Sequence, residues 1–285
     1  MAAELGAVLS AAVLAHPAFD PLRPLLERLG IRPGCAELNA LADALAIPPA
    51  TQSGEPVRFC PPEPAASAPY EQKIFDTGLV ETRADSLHDL FNALVWLAFP
   101  LTKAAINARH VERLRAEGNR RGPLRDLLTL IDEGGVIVAC AEDTLPDFEA
   151  LIRGFHWEGL FWHRRADLVR DVRFVLTGHN AYEKSLAPYP GITCKALFVP
   201  TPPDLLGGPH PDLVAWLDAR AAGWIESLPE DAKPRQMAPL PVFGYPGWLP
   251  GSAEAGFYAD RRWFRPPPEP GREPPRSLSA QPNSV

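Results

Sequence analysis

The 285-residue chain carries 28 Lys and Arg against 35 Asp and Glu, a net charge of −7, with 46% apolar and 22% charged residues. That balance excludes global disorder and argues against a protein that coats nucleic acid through a basic surface, while the length suits one large core or two small ones. The 34 prolines, about twice the roughly 5% average usage, cluster at 48–69, 200–211, 229–250 and 266–282 and mark loops and a tail. Cys35, Cys60, Cys140 and Cys194 stand far apart with no CxxC pair, which predicts free thiols rather than a zinc knuckle or a disulfide framework.

Taken in chain order, residues 5–15, 20–29 and 36–46 read as short helices forming an N-terminal cap. The run to Ala15 has no basic start and carries Glu4, against a signal peptide. A strand is expected at 57–60, and 70–83 alternates enough to suggest a hairpin turning at Asp76-Thr77-Gly78. Two long helices follow, 86–99 and 101–117, broken at Pro100 and expected to pack antiparallel. A shorter helix spans 124–131 behind Gly122-Pro123. The periodicity then gives a strand at 136–140, helix over 146–170, a strand at 172–176, a helix at 179–187, a strand at 193–199 and a helix at 211–228.

Residues 239–264 make an irregular aromatic wrap, and 266–285 offer too little to bury and are expected to be disordered. The expected fold is therefore α+β: one mostly helical domain over 1–265, with a cap over 1–50 and the remainder over 51–265. It has a small mixed sheet, a central pair of buried helices and a Pro- and aromatic-rich C-terminal wrap. The longest apolar stretch, 87–99, is interrupted by His88, Asp89 and Asn92 and falls short of the ~20 residues of a membrane span. A cytoplasmic protein without membrane contact is expected.

The informative residues are polar ones on helices that should be buried. Leu87, Leu90, Phe91, Leu94, Val95, Leu97 and Ala98 cover more than half the circumference of the first long helix, yet His88 and Asn92 share one line on it, flanked by Asp89 and Trp96. On the second, Asn107 falls within the apolar stripe, bordered by Lys103 and His110. Polar groups in such places find partners or cost roughly 1–3 kcal/mol each. Their convergence would make either an acid–base or ligand site, or a satisfied network that fixes helix pairing.

Arg120, Arg121 and Arg125 stand at the mouth of the next helix, where free N–H groups and the dipole favour an anion; a solvated helix end is the alternative. Asp132 and Glu133 precede a Gly pair and could offer metal-binding oxygens. His179 and Glu183 are four apart on a helix and could touch, as a proton relay or as a surface pair. Lys195, on a strand, could point into the same cleft. No GxSxG, Walker A, GxGxxG or HExxH pattern occurs.

Tyr70-Glu71, His88-Asp89-Leu90-Phe91-Asn92-Ala93-Leu94-Val95-Trp96, Lys103, Asn107-Ala108-Arg109-His110, the run from Asn119 to Asp126, Gly178-His179, and Pro246-Gly247-Trp248 occur in an order that resembles the bacterial domain of unknown function 3025 family. The resemblance spans roughly 55–265. Leu87 departs from it, where Trp often precedes the His-Asp pair. It implies a bacterial protein and a motif set but no chemistry, and the motifs coincide with the misplaced polar residues.

The expectation is a small-molecule enzyme acting on an anionic metabolite. His88 or His179 would be the acid–base group, oriented by Asp89 or Glu183. Arg121 and Arg125 would seat the anion, with Asn92, Lys103, Asn107, His110 and Lys195 as further substrate contacts. A metal-dependent variant would use His88, His110, His179 and Asp132; neither metal nor cofactor is specified. The alternative is a non-catalytic interaction protein whose Trp248, Tyr258, Trp263 and Phe264 segment engages a partner. A nucleic-acid role, resting on the arginines from Arg109 to Arg125, ranks below both.

Overall fold

The computed structural model describes residues 11–30, 33–63, 68–118, 120–208 and 210–267. Part of the first expected helix and nearly all of the expected tail lie outside these residues. Within them the chain is a mostly helical α+β fold.

Helix Ala11–Leu14 falls within the first expected helix, whereas a 3₁₀ turn Pro17–Leu22 and helix Arg23–Leu26 replace the single helix expected over 20–29, in a segment that carries three prolines. Helix α1 (Cys35–Asp43) then buries Leu38, Leu41 and Ala42. Strand β1 (Arg58–Cys60) pairs in parallel with β2 (Leu79–Glu81), so the expected hairpin is wrong. A parallel pair needs a crossover, which is supplied by helix α2 (Tyr70–Thr77). Gly78, at φ 70°, ends that helix by donating its N–H to Ile74 O at 2.8 Å. Thr77-Gly78 is thus a helix stop rather than a hairpin turn.

Helix α3 (Leu87–Ala98) is buried from Asp89 through Leu97, as its apolar circumference requires. Helix α4 (Pro100–Glu117) starts at Pro100 after the single non-helical residue Phe99. One residue cannot reverse the chain into an antiparallel pair; the two helices instead bend by 110°. Helix α4 packs chiefly against α9 (His210–Glu226), and to an equal, smaller extent against α2 and the helix Pro123–Gly134. Among the described residues no single helix is long and apolar enough to cross a membrane.

Helix α5 (Pro123–Gly134) runs straight into strand β3 (Gly135–Cys140), every residue of which is buried. The stretch expected as one helix over 146–170 divides into α6 (Leu145–Arg153), a π turn Gly159–His163 and α7 (Arg165–Asp171), separated near Phe155 at φ 57°. Strand β4 (Val172–Leu176), helix α8 (His179–Ser185), strand β5 (Cys194–Pro200) and the short helix Pro203–Gly207 follow. The wrap is not wholly irregular, because Ala238–Leu240 adds strand β6.

The four-stranded sheet has the order β4-β3-β5-β6. Strand β3 is antiparallel to β4, with Val138 opposite Phe174, and parallel to β5, with Val138 opposite Phe198. Pro239 is tolerated in β6 because that strand is the edge. One apolar core runs from Ala18 to Phe264, and Trp248, Tyr258 and Phe264 are buried within it.

Candidate acid–base site

Two connections bring the site together. The turn after β4 folds onto the junction of α5 and β3: the N–H groups of Thr177 and Gly178 both donate to Gly135 O at 3.0 Å. Only glycine fits at 178, where a Cβ would lie 2.4 Å from Glu133 O and 2.5 Å from Gly134 N. That approach sets His179, the first residue of α8, beside Asp132 in the last turn of α5. Helix α8 packs on α3, which brings His88 to His179.

The result is a chain of four titratable groups. His179 Nδ1 is 3.5 Å from Asp132 Oδ2, its Nε2 is 3.1 Å from His88 Nε2, and His88 Nδ1 is 3.3 Å from Glu183 Oε2. The two rings meet edge to face with centroids 4.5 Å apart. His179 is 5% exposed, whereas the side chains of His88 and Glu183 are 43% and 36% exposed, so the chain leads from the interior to the surface. The pair expected within α8 is replaced: Glu183 meets His88 on α3, not His179.

Lys103 anchors the inner end. Its ammonium donates to Asp132 Oδ1 and to Asn92 Oδ1, the latter at 2.8 Å, and lies 5.4 Å from the Trp96 ring centroid. Asn92 Nδ2 in turn donates to Tyr70 Oη at 3.3 Å. Burial pushes the Asp132 carboxyl upward, but the Lys103 charge and hydrogen bond and the neighbouring imidazoles outweigh it and hold it below the usual range. Burial also lowers His179 and His110 to about 4, against the opposing pull of Asp132, so both imidazoles are neutral at pH 7.

These groups face a cavity of about 520 Å³ whose lining includes Tyr70, Glu71, Arg83, His88, Asp89, Asn92, His110, Arg121, Thr129, Asp132, Glu133 and His179. Buried polar atoms around it lack hydrogen-bond partners, among them His110 Nδ1, His179 Nδ1 and Asn107 Oδ1. Asn107 lies behind the lining and donates to Glu71 O at 2.9 Å and Glu71 Oε2 at 2.6 Å. Glu71 and Tyr70 were missed as site residues because 70–83 read as a hairpin, although they open the string that carries the family resemblance.

Other expected residues are placed differently. Asp89 orients no imidazole; it holds Arg83 through Nε at 2.7 Å and Nη2 at 2.8 Å and accepts the Arg83 backbone N–H at 2.9 Å. Arg121 reaches the cavity rim but is paired with Asp126 at 2.6 Å and with Thr129. Arg125 does not line the cavity, and its Nε is buried without a partner. The N-terminus of α5 already holds an anion of its own, because Gly122 N–H donates to Glu117 Oε2 at 2.9 Å. Lys195 sits opposite Gly135 and Pro239 in the sheet, away from the cavity lining.

Arg109, Arg113 and Arg115, which a nucleic-acid surface would need, are each ion-paired. Among the described residues no group of three or more His, Cys, Asp or Glu side chains is arranged to hold a metal ion, so His88, His110, His179 and Asp132 do not form the ligand set of the metal variant.

A buried lysine–carboxylate pair beside two histidines at a polar cavity, on a helical frame with a small mixed sheet, describes an α+β protein with one candidate site. A family model for proteins of unknown function, DUF3025, matches residues 57–267, and the chain belongs to that family. The match covers every residue of the cavity lining. No curated protein and no solved structure matches the chain.

Proposed function

We propose that the protein is a small-molecule acid–base enzyme in which the His179–His88 pair moves a proton between a substrate in the cavity and the surface. The carrying observation is the chain Asp132–His179–His88–Glu183 with its inner end at the cavity. An imidazole that gains a proton on one ring nitrogen can release one from the other, which is what a relay requires. Asp132, fixed by Lys103, lies 3.5 Å from His179 Nδ1, and Glu183 contacts the outer ring where solvent can exchange the proton.

The substrate is an anionic metabolite on this reading. The neutral His110 can give or take a hydrogen bond inside, and Arg83 and Arg121 at the rim are each paired with an aspartate that a bound anion would have to displace. We place the reaction in the cytoplasm, where four free thiols suit the reducing conditions, and without membrane attachment.

The test is a native mass-spectrometry and thermal-shift screen against hydroxy acids, keto acids and sugar phosphates. NMR then detects hydrogen exchange from D₂O into any compound that binds. Exchange that falls at least ~100-fold in His179→Gln supports the reading. Binding without exchange favours a non-catalytic binding protein, and exchange indifferent to His179 overturns the histidine relay.

A further inference from the structure

Among the carboxyl groups that line the cavity, which also include Glu81, Asp89 and Glu133, Glu71 on α2 and Asp132 on α5 have immediate partners that differ in kind. Asp132 receives the Lys103 ammonium, whereas Glu71 Oε2 receives only the neutral carboxamide of Asn107. Two carboxyls sharing one site resist being ionised together, and the one with the cation keeps the charge. Resting on the acid–base reading above, we propose that Glu71 is a second catalytic residue, a carboxylic acid that donates its hydrogen to the substrate while the histidine pair accepts one.

The electrostatics of the pocket agree with the geometry. Burial and the Asp132 charge push the Glu71 carboxyl upward, against the pull of Asn107, Lys103 and Arg125, while Asp132 is driven the other way. Groups facing Glu71 also include Tyr70 on its own helix and the neutral His110 on α4. With Oε2 taken by Asn107, Oε1 remains to carry the hydrogen.

In the forward step the Glu71 O–H bond breaks and its proton bonds to a substrate oxygen, with the electron pair left on the carboxylate. The imidazole pair takes a proton from a second substrate atom, so total charge is unchanged. Such a pair suits an isomerisation or an elimination of water. The substrate class is a polar molecule presenting a hydroxyl or carbonyl oxygen to Glu71, next to an acidic hydrogen.

The test needs no substrate, so its failure is distinct from failure of the relay. Full-length protein labelled with δ-¹³C-glutamate is titrated by NMR, a probe to which every aspartate is silent. One glutamate resonance keeping its protonated shift at pH 7, and lost in Glu71→Gln, is the expected result. If every glutamate titrates near the ordinary value of ~4.3, or if the protonated resonance survives in Glu71→Gln, the proposal is overturned. Should Glu71→Gln fail to fold, Asn107→Asp serves instead: a second carboxyl beside Glu71 should shift the protonated resonance, and an unmoved resonance overturns the assignment.

Discussion

Two aspartates inside this molecule show how a polar group that builds the fold differs from one that builds a site. Asp218, on α9, is 3% exposed and accepts the N–H groups of Leu101 at 3.0 Å and Thr102 at 2.8 Å, in the first turn of α4. Thr102 Oγ1 completes the joint by donating to Asp218 O at 3.2 Å. All its partners belong to one helix terminus, where orphan N–H groups need an acceptor. Asp132 instead meets the side chains of Lys103 and His179, borders a cavity, and has neighbours whose own polar atoms lack partners. A saturated network holds helices together; one with unfilled positions around a space is built for something that enters.

Substitutions should separate the two aspartates by kind as well as by size. Lys103→Met should have the largest effect on stability, a loss of about 3–5 kcal/mol, because it leaves Asp132 without its cation. Urea unfolding would measure this, and a loss under about 1 kcal/mol would mean that the ammonium is not the anchor.

Acid should act through the site's histidines. With folded values of about 4 for His110 and His179, the unfolded chain binds protons that the folded chain does not between about pH 6.5 and 4. Stability therefore rises with pH across that window and is lost on acidification, by about 2 kcal/mol per imidazole at pH 5. Asp132, held low, loses its contribution only as pH falls through its folded value; Asp218 and Glu71, both raised, act in the opposite direction. In His110→Gln about half the loss between pH 7 and pH 5 should disappear. A flat profile would mean that the imidazoles are already solvated.

Asp218→Ala should cost about 1–3 kcal/mol by leaving the buried Thr102 N–H unpaired, yet leave ligand binding in the cavity unchanged. Gly178→Ala should cost a similar 1–3 kcal/mol through overpacking against the Glu133 backbone, and should in addition displace His179. Isothermal titration with whichever compound the screen finds distinguishes them. If Asp218→Ala weakened binding as much as Gly178→Ala, the distinction between joint and site would fall.

What could be read from the sequence follows from locality. The apolar circumference of α3 forced His88 and Asn92 into view, and the stripe on α4 did the same for Lys103, Asn107 and His110, because a helical period is a local property. The pairing of His88 with His179 joins residues 91 apart, and no spacing rule reaches across that distance. Glu71 was hidden by Thr77-Gly78, a dipeptide that closes a helix as readily as it turns a hairpin. Asp218 shares an i, i+4 line with the apolar Val214 and Ala222, so its burial was in principle visible, but the helix acceptor role depends on where α4 begins in space. The α5 mouth looked like an anion seat because only the fold brings Glu117 back to Gly122.

His88→Gln should be the mildest change in stability and the sharpest test of the comparison. The side chain is 43% exposed and its contacts to Glu183 and His179 are at the solvent end of the chain, so unfolding should shift by no more than about 1 kcal/mol. Glutamine can span part of the gap with a hydrogen bond but cannot take up and release a proton near neutral pH. Hydrogen exchange into a bound compound should fall by about 100-fold or more while its affinity stays within a few-fold. A loss of stability equal to that of Lys103→Met would make the histidine pair a strut like Asp218. A collapse of exchange in a stable protein would make it the moving part.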